Sequence, residues 1–388
     1  MIEKLVPLHQ EIIDIRRTFH KNPEVSFKEE KTPAFIAEYL NKLGNIEVKE
    51  NVGGRGVTAT IKGKTPGKCV ALRADFDALA MPDEKDVEYK SQVEGVMHGC
   101  GHDAHAASLL GIAKVLSENT DALKGSVRLV FQFAEEMSPG GAISMIEDGC
   151  LDGVDAIFAT HVRSTEPVGK ILICVGPTMA AADDFKIEIH GKGGHGAYHH
   201  QAIDPIVIAA NVINGFQQII SRRKAATEPA VITVGMINAG SAFNVIPDVL
   251  TMAGTGRSYD PAVQDFMIKE MEAVLKANCE AVGATYTFEY NKGYPSVINP
   301  EKEATLVRKA TTQIFGEENV LPLKAGMGGE DFSYYLQKVP GCFFYIGAGN
   351  VEKGIVHPHH HPKFDIDEDA LLYSAQALLG VALEYLES

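Results

Sequence analysis

The first half of the chain alternates apolar runs with helical patterns. A helical pattern follows Asp103, and the apolar runs around it are GVTATIKG, CVALRADFDAL, SVRLVFQFAEE and AIFATHV. Apolar strands separated by helices are typical of a mostly parallel sheet with helices on its faces. The run CFFYIGAGN and a closing helix near Asp367 resume this pattern. We therefore predict an α/β domain formed by residues 1–180 and 293–388.

The pattern changes between residues 181 and 292. Two strand–helix–strand units occupy this segment, the first from DFKIEIHGKG to AVITVGMINAG and the second from VLTMAGTGRSY to TYTFEYNKG. We expect one helix after Asp204 and the other after Asp260, because aspartate caps helix N termini and the proline that follows fits the first turn. The order β-α-β-β-α-β favours a small sheet with both helices on one face. The segment is interpreted as an inserted, ferredoxin-like α+β domain.

Composition narrows the class of protein. A chain of 388 residues with 45% hydrophobic and 22% charged residues is typical of a globular protein with two domains. A net charge of −15 argues against a nucleic-acid partner. The sequence contains no stretch of about 18 apolar residues and no signal-peptide core, so we predict no membrane segment and a cytoplasmic location. Six scattered cysteines favour reduced thiols over a disulfide framework.

The stretch VMHGCGHDAHAASLLG is rich in side chains that bind metals. Cys100 and His102 stand two residues apart before the predicted helix, and a thiolate with a neutral imidazole suits a metal such as zinc. This spacing is weak evidence by itself, and a glycine-rich structural turn is the alternative. The residue types at the ends of other strands therefore provide the evidence that distinguishes a metal site from a structural turn.

Carboxylates and a histidine stand at three more strand ends. Glu135 and Glu136 follow one apolar strand, His161 ends the next, and Asp75 and Asp77 end another. Adjacent side chains of an extended segment point apart, so we expect one glutamate to bind metal while the other handles protons.

A histidine-rich run, IVHPHHHPKFD, precedes the last predicted helix. It could form a solvated loop, as the aspartates could cap helices. Ligands at the strand ends of one sheet nevertheless predict a metal site, because chemistry in such sheets gathers at the carboxyl ends of the strands.

These segments carry a resemblance that spans essentially the whole chain. The chain resembles the aminoacylase and carboxypeptidase family of two-metal amidohydrolases, in the branch of bacterial N-acyl-amino-acid amidohydrolases and plant indole-acetyl-amino-acid hydrolases. Ten segments occur in family order: RRTFHKNPEVSFKEEKT, ALRADFDALAMP, MHGCGHDAHAA, FQFAEE, ATHV, GKGGHGAYHHQAIDPI, FNVIPD, GTGRSYD, GGEDFSYYL and HHHPKFDID.

The resemblance implies a site for two divalent ions, with the thiolate as the bridge between them. The implied ligands are Cys100, His102, Glu136, His161 and His360. The position two residues before the proline of the closing motif selects His360, although the three-histidine run leaves His361 as the alternative. Zinc suits these ligand types best, and manganese, cobalt and nickel are alternatives.

The resemblance also implies roles for residues that bind no metal. Glu135 is the expected general base, and Asp77 is expected to orient His102 or a neighbouring ligand. Asp75 stands where related enzymes outside this branch carry a histidine ligand, so its ligation stays open.

The inserted domain is implied to act as a lid and a dimerisation domain. There His195 is expected to stabilise the tetrahedral oxyanion, often from the neighbouring subunit of a homodimer. Asn244 and Arg257 are expected to hold the substrate carbonyl and carboxylate.

The resulting functional prediction is metal-dependent hydrolysis of the amide bond of N-acyl amino acids, with acetyl as the favoured acyl group. A dipeptidase or aminopeptidase of the same family is the alternative, and the GCGHDAH form of the motif favours the N-acyl branch. A non-catalytic metal-binding scaffold is a third interpretation. That interpretation predicts loss of the general base, yet Glu135 is present.

Overall fold

The computed structural model describes residues 1–388 and divides the chain into two compact units. The first unit comprises Met1–Thr178, Ile298–Ala325 and Asp331–Ser388, and the second comprises Met179–Val297 and Gly326–Glu330. The functional assignment of residues 181–292 as a lid and dimerisation domain remains a prediction.

The helices and strands are numbered in chain order. The helices are α1 (His9–Lys21), α2 (Lys31–Asn41), α3 (His102–Ser117), α4 (Ala142–Glu147), α5 (Pro205–Gln218), α6 (Pro261–Glu280), α7 (Glu301–Phe315), α8 (Phe332–Leu336) and α9 (Asp369–Glu387). The strands are β1 (Glu47–Val52), β2 (Gly56–Lys62), β3 (Thr65–Asp75), β4 (Lys124–Gln132), β5 (Ala156–Pro167), β6 (Ile171–Ile173), β7 (Gly176–Met179), β8 (Ala181–His190), β9 (Gly194–His195), β10 (Ala230–Ala239), β11 (Val245–Ile246), β12 (Val249–Ser258), β13 (Thr285–Tyr294), β14 (Val297–Asn299), β15 (Val320–Pro322) and β16 (Gly341–Gly349). None of the helices combines the length and the apolar character needed to cross a bilayer.

An eight-stranded sheet in the order β1-β2-β4-β3-β5-β16-β6-β15 forms the centre of the first unit. Its four central strands, β4, β3, β5 and β16, are parallel, whereas β1, β2 and β6 add antiparallel pairs toward the edges. Helix α3 packs against β3 and also contacts α1 and α9, which explains why it is buried on nearly every side. The α/β prediction with a mostly parallel sheet is confirmed.

The second unit contains an antiparallel sheet in the order β10-β12-β8-β13. Alternate residues of β8, among them Phe185 and Ile187, are buried with the apolar faces of α5 and α6. Asp204 caps α5 through the Ile206 N–H, at 2.9 Å. Asp260 caps α6 in the same way. The predicted ferredoxin-like fold and both helix starts are therefore confirmed.

Candidate metal centre

The carboxyl ends of three neighbouring parallel strands bring the candidate site together. Strand β3 leads into Asp77, β4 is followed by Glu135 and Glu136, and His161 lies in β5. Because these strands run in parallel in the order β4-β3-β5, the groups that follow them meet at one edge of the sheet. Helix α3 supplies its first residue, His102, at the same edge.

Two groups of candidate ligand atoms share the Cys100 thiol. The first group consists of Cys100, His102 and His161, and the second of Cys100, Glu136 and His360. The ligand atoms within each group lie within 4.8 Å of one another. The structure therefore brings together all five residues that the sequence indicated as ligands, with the sulfur common to both groups.

The start of α3 sets the position of His102. Gly101 precedes the helix with φ at +93°, and a Cβ there would meet Val162 Cγ2 at 2.4 Å, so both backbone conformation and space require glycine. The Nδ1 of His102 lies 2.9 Å from Oδ1 of Asp77. This contact leaves Nε2 of His102 directed at the other candidate ligands, as expected from the role predicted for Asp77.

A second histidine is oriented through its backbone environment. The Nδ1 of His161 donates to the carbonyl oxygen of Val162 at 2.7 Å, and its Nε2 lies 3.4 Å from Cys100 Sγ. Burial lowers the pKa of His161 well below its ordinary value, and neighbouring His105 acts in the same direction. The imidazole is therefore neutral, which is the form that binds metals.

His360 and its sequence neighbour His361 have different surroundings, and only one of them lies among the candidate ligands. The Nε2 of His360 lies 3.3 Å from Oε1 of Glu136. In contrast, His361 accepts the Lys363 N–H through Nδ1 and stacks on His357, with ring centroids 4.3 Å apart. Only His360 therefore joins the groups of candidate ligands.

The two adjacent glutamates do not point apart. Strand β4 ends at Gln132, and Ala134 has a left-handed backbone with φ at +54°. As a result, Oε2 of Glu135 and Oε1 of Glu136 both lie 3.9 Å from Nε2 of His102. The expectation of divergent side chains is wrong here, because the pleat ends before these residues.

The chemistry of the cluster fits divalent cations. Nε2 of His102 is a buried atom without a hydrogen-bond partner, and Oε1 of Glu136 is buried beside Nε2 of His360. Burial raises the pKa of the Cys100 thiol well above its ordinary value, and the carboxylates of Glu136 and Glu135 raise it further. A bound dication supplies the missing partner for Nε2 of His102 and favours the thiolate.

Buried polar side chains behind the site support it, and no role for most of them was predicted from the sequence. Asp75 pairs with Arg73 at 2.6 Å and with Nδ1 of His105 at 2.5 Å. The Nε2 of His105 then accepts the Val162 N–H at 3.0 Å, directly after His161. Both Asp75 oxygens are thus engaged, which favours a supporting role over ligation.

The three remaining predicted residues lie in the second unit. Strand β9 pairs with β11, and the Gly196 N–H donates to the Asn244 carbonyl oxygen at 2.9 Å, so the backbones of His195 and Asn244 lie side by side. The Nδ1 of His195 accepts the Ala197 N–H at 3.1 Å, while its side chain is exposed. Arg257 on β12 donates to the carbonyl oxygen of Gly256 at 2.9 Å and is half-buried.

Comparisons with known proteins identify the family of the chain. A sequence model of peptidase family M20/M25/M40 matches residues 71–384. The chain belongs to this family. It is 40% identical over 384 residues to the N-acetyl-L-cysteine deacetylase of Bacillus subtilis, and the match covers 99% of this chain and 90% of that protein.

Two further comparisons involve peptidases. The chain is 44% identical over 377 residues to thermostable carboxypeptidase 2 of Saccharolobus solfataricus. This match covers 96% of this chain and 95% of that protein. The crystal structure of the YXEP protein of Bacillus subtilis, described as a dinuclear metal binding peptidase, aligns with a TM-score of 0.85 at 35% identity. That alignment covers 98% of this chain and 99% of the other.

The family resemblance predicted from ten sequence segments is thus confirmed. As an M20 member, this chain is a hydrolytic, metal-dependent enzyme. The individual ligands and catalytic roles remain predictions.

Proposed function

We propose that this M20 enzyme hydrolyses the amide bond of N-acyl amino acids with two divalent ions. The observation that carries the proposal is the pair of ligand groups that share Cys100, with the carboxylate of Glu135 beside them. The similarity to an N-acetyl-L-cysteine deacetylase supports an acylated amino acid as the substrate.

When bound, the ions lower the pKa of water and polarise the scissile carbonyl. Glu135 is the general base in this proposal. It is 7% exposed, and its Oε2 lies 3.9 Å from Nε2 of His102. Glu135 therefore lies beside the candidate ligands but belongs to neither of the two groups that contain Cys100. Glu135 accepts a proton from the attacking water and passes it to the nitrogen of the leaving amine.

We propose that His195, Asn244 and Arg257 bind the substrate. Because Nδ1 of His195 accepts a backbone N–H, the proton of the neutral ring lies on Nε2, which is then a donor for a developing oxyanion. The guanidinium of Arg257 suits a substrate carboxylate, since it offers a planar pair of donors.

We also propose zinc as the metal and a homodimer as the assembly. Thiolate, imidazole and carboxylate together suit zinc, with manganese, cobalt and nickel as alternatives. Strand β10 lies at the edge of its sheet and exposes Met236 and Ile237, at 62% and 51%. An exposed apolar edge strand of this kind supports pairing with a second copy.

A peptidase is the second candidate function. The 44% identity to thermostable carboxypeptidase 2 favours it, because a carboxypeptidase also cleaves an amide next to a free carboxylate. The two functions differ in the group on the carbonyl side of the scissile amide, which is a simple acyl group in one and the rest of a peptide in the other.

The test is a side-by-side assay of N-acetyl amino acids and dipeptides on metal-stripped protein with each ion restored in turn. Two variants from one segment provide the mechanistic control. Glu135→Gln should keep its metal and lose about 100-fold or more in turnover, whereas Glu136→Gln should lose metal. Near-normal turnover by metal-loaded Glu135→Gln would refute the assignment of the base.

A further inference from the structure

The left-handed turn at Ala134 is held by a residue that lies more than a hundred positions earlier. The Ala134 N–H donates to Oε1 of Glu29 at 2.9 Å. Both residues are 0% exposed, and the second oxygen of Glu29 has no partner. The Glu29 carboxyl group also contacts its own backbone N–H, and the Arg55 guanidinium acts on it electrostatically, but Ala134 is its contact with the segment that carries Glu135 and Glu136.

The left-handed backbone of Ala134 is unfavourable in free energy unless other contacts stabilise it. A left-handed backbone puts the Cβ of alanine close to the following carbonyl oxygen, a conformation that glycine adopts freely. Residues in this conformation persist when surrounding contacts fix them, and they are frequent at functional sites. Here the turn directs Glu135 and Glu136 toward the same ring nitrogen of His102.

The loop that carries Glu29 touches the site at two further points. The hydroxyl of Ser26 donates to Oδ2 of Asp77 at 2.7 Å, and the same oxygen accepts the Glu136 N–H at 2.9 Å. The ring of Phe27 packs edge-on against Phe133, with centroids 5.9 Å apart. The loop of residues 26–29 therefore contacts the chain immediately before both glutamates as well as the carboxylate that orients His102.

We propose that Glu29 is a positioning residue that acts through the backbone of Ala134. In this inference, which rests on the proposed function, Glu29 stabilises the left-handed turn that makes Glu135 available as the base and Glu136 available as a ligand. Its own carboxyl group touches neither the substrate nor the reacting atoms.

The interaction needs an acceptor and no charge. Burial raises the pKa of Glu29 to about 7, and the nearby Asp77 carboxylate acts in the same direction. Glutamine at this position keeps a carbonyl oxygen for the Ala134 N–H, whereas leucine fills a similar volume without any acceptor. Glu29→Gln and Glu29→Leu therefore separate the hydrogen bond from the packing.

The test combines these variants with Ala134→Gly, because glycine adopts the turn without support. Glu29→Leu should lower kcat at least tenfold with a smaller change in KM, and should weaken zinc binding to the metal-stripped protein at least tenfold. Glu29→Gln should stay within threefold of the wild type on both measures. Adding Ala134→Gly to Glu29→Leu should recover at least threefold in both. Glu30→Leu, an exposed neighbour, is the matched control and should change neither.

Several results would overturn the inference. One is an equal loss of kcat and zinc affinity in Glu29→Leu and Glu29→Gln. Another is no recovery of either quantity when Ala134→Gly is added to Glu29→Leu. The third is a lower melting temperature of Glu29→Leu with unchanged kcat and zinc affinity. If wild-type protein cleaves no N-acyl amino acid, the proposed function fails. The role of Glu29 is then decided by the zinc-binding isotherms of the variants and by hydrogen exchange of the Ala134 amide, which should be faster in Glu29→Leu than in the wild type. Should Glu29→Leu fail to fold, Glu29→Gln and the double variant provide the comparison.

Discussion

The Nδ1 of His102 lies 2.9 Å from Oδ1 of Asp77, and the other oxygen of this carboxylate accepts two donors. Those donors are the Ser26 hydroxyl and the Glu136 N–H, at 2.7 and 2.9 Å. One carboxylate thus orients a candidate ligand from α3 and a second from the segment after β4.

Asp77→Asn should weaken metal binding. An asparagine amide presents one oxygen and one NH₂ group, so it cannot accept from His102 and from the Glu136 N–H at the same time. We expect metal affinity to fall about 10- to 100-fold, as for other changes behind metal ligands. Calorimetric titration of metal-stripped protein measures the effect. Asp86→Asn, at an exposed position, is the control, and equal affinities for the two variants would contradict the role of Asp77.

Metal loading should release protons near neutral pH. Burial opposes protonation of His102, but the carboxylates of Asp75 and Asp77 prevail and raise its pKa to about 10. Burial and nearby carboxylates likewise raise the pKa of Cys100. Both groups are therefore protonated without metal, and cations displace about two protons. Calorimetry in buffers of different ionisation enthalpy counts them, and zero release would contradict this charge assignment.

The same pKa shift predicts how the metal-free protein responds to pH. The folded pKa of His102 lies above its ordinary value of 6.5, so its contribution to the free energy of unfolding is complete below pH 6.5 and is lost as pH rises toward 10. Urea denaturation of metal-stripped protein at pH 6.5 and 9.5 should show the decline. His102→Gln should respond less to pH.

Arg16 should be far more important for stability than its neighbour Arg17. Arg16 is fully buried, and its Nε lies 2.8 Å from Oδ2 of Asp103, the residue after His102. Arg16→Met leaves that carboxylate buried without its cation, which should cost about 3–5 kcal/mol. Arg17→Met removes a pair with Glu368 at a 35% exposed side chain and should cost less than about 1 kcal/mol. Urea denaturation at pH 7 compares them, and similar costs would count against the buried pair.

The proposed dimer can be tested at strand β10. If its open edge pairs with a second copy, Met236→Lys combined with Ile237→Lys should shift the solution mass from two chains to one, because lysine on an edge strand opposes pairing. Val351→Lys, at an 83% exposed position in the first unit, should leave the mass unchanged. Wild-type protein with the mass of one chain and full activity would exclude a functional dimer.

The sequence predicted the fold where local patterns were strong. Aspartate followed by proline set the starts of α5 and α6, and apolar runs located the central strands of the large sheet. The short strands β6 and β15 went unnoticed, because three residues carry no readable alternation. Their pairing depends on contacts between distant parts of the chain.

The site was predictable as a set of residue types and less so as geometry. Strand ends and family motifs pointed to Cys100 and Glu136, but the left-handed backbone of Ala134 left no local signal, since alanine is common in regular elements. Glu29 and His105 lie within segments that carry the family resemblance, but the sequence did not reveal what they do. Their roles depend on hydrogen bonds to backbone groups far away in sequence, which no spacing rule encodes.

The insertion of residues 179–297 between His161 and His360 has a consequence for biogenesis. A chain made from its N terminus exposes Cys100, His102, Glu136 and His161 before the second unit is synthesised, whereas His360 follows that unit. If the five proposed ligands hold two ions, the site is complete only after the second unit has been synthesised. A product that ends before His360 would carry only four of the five proposed ligands, so we expect it to hold the two ions less tightly than the whole chain does.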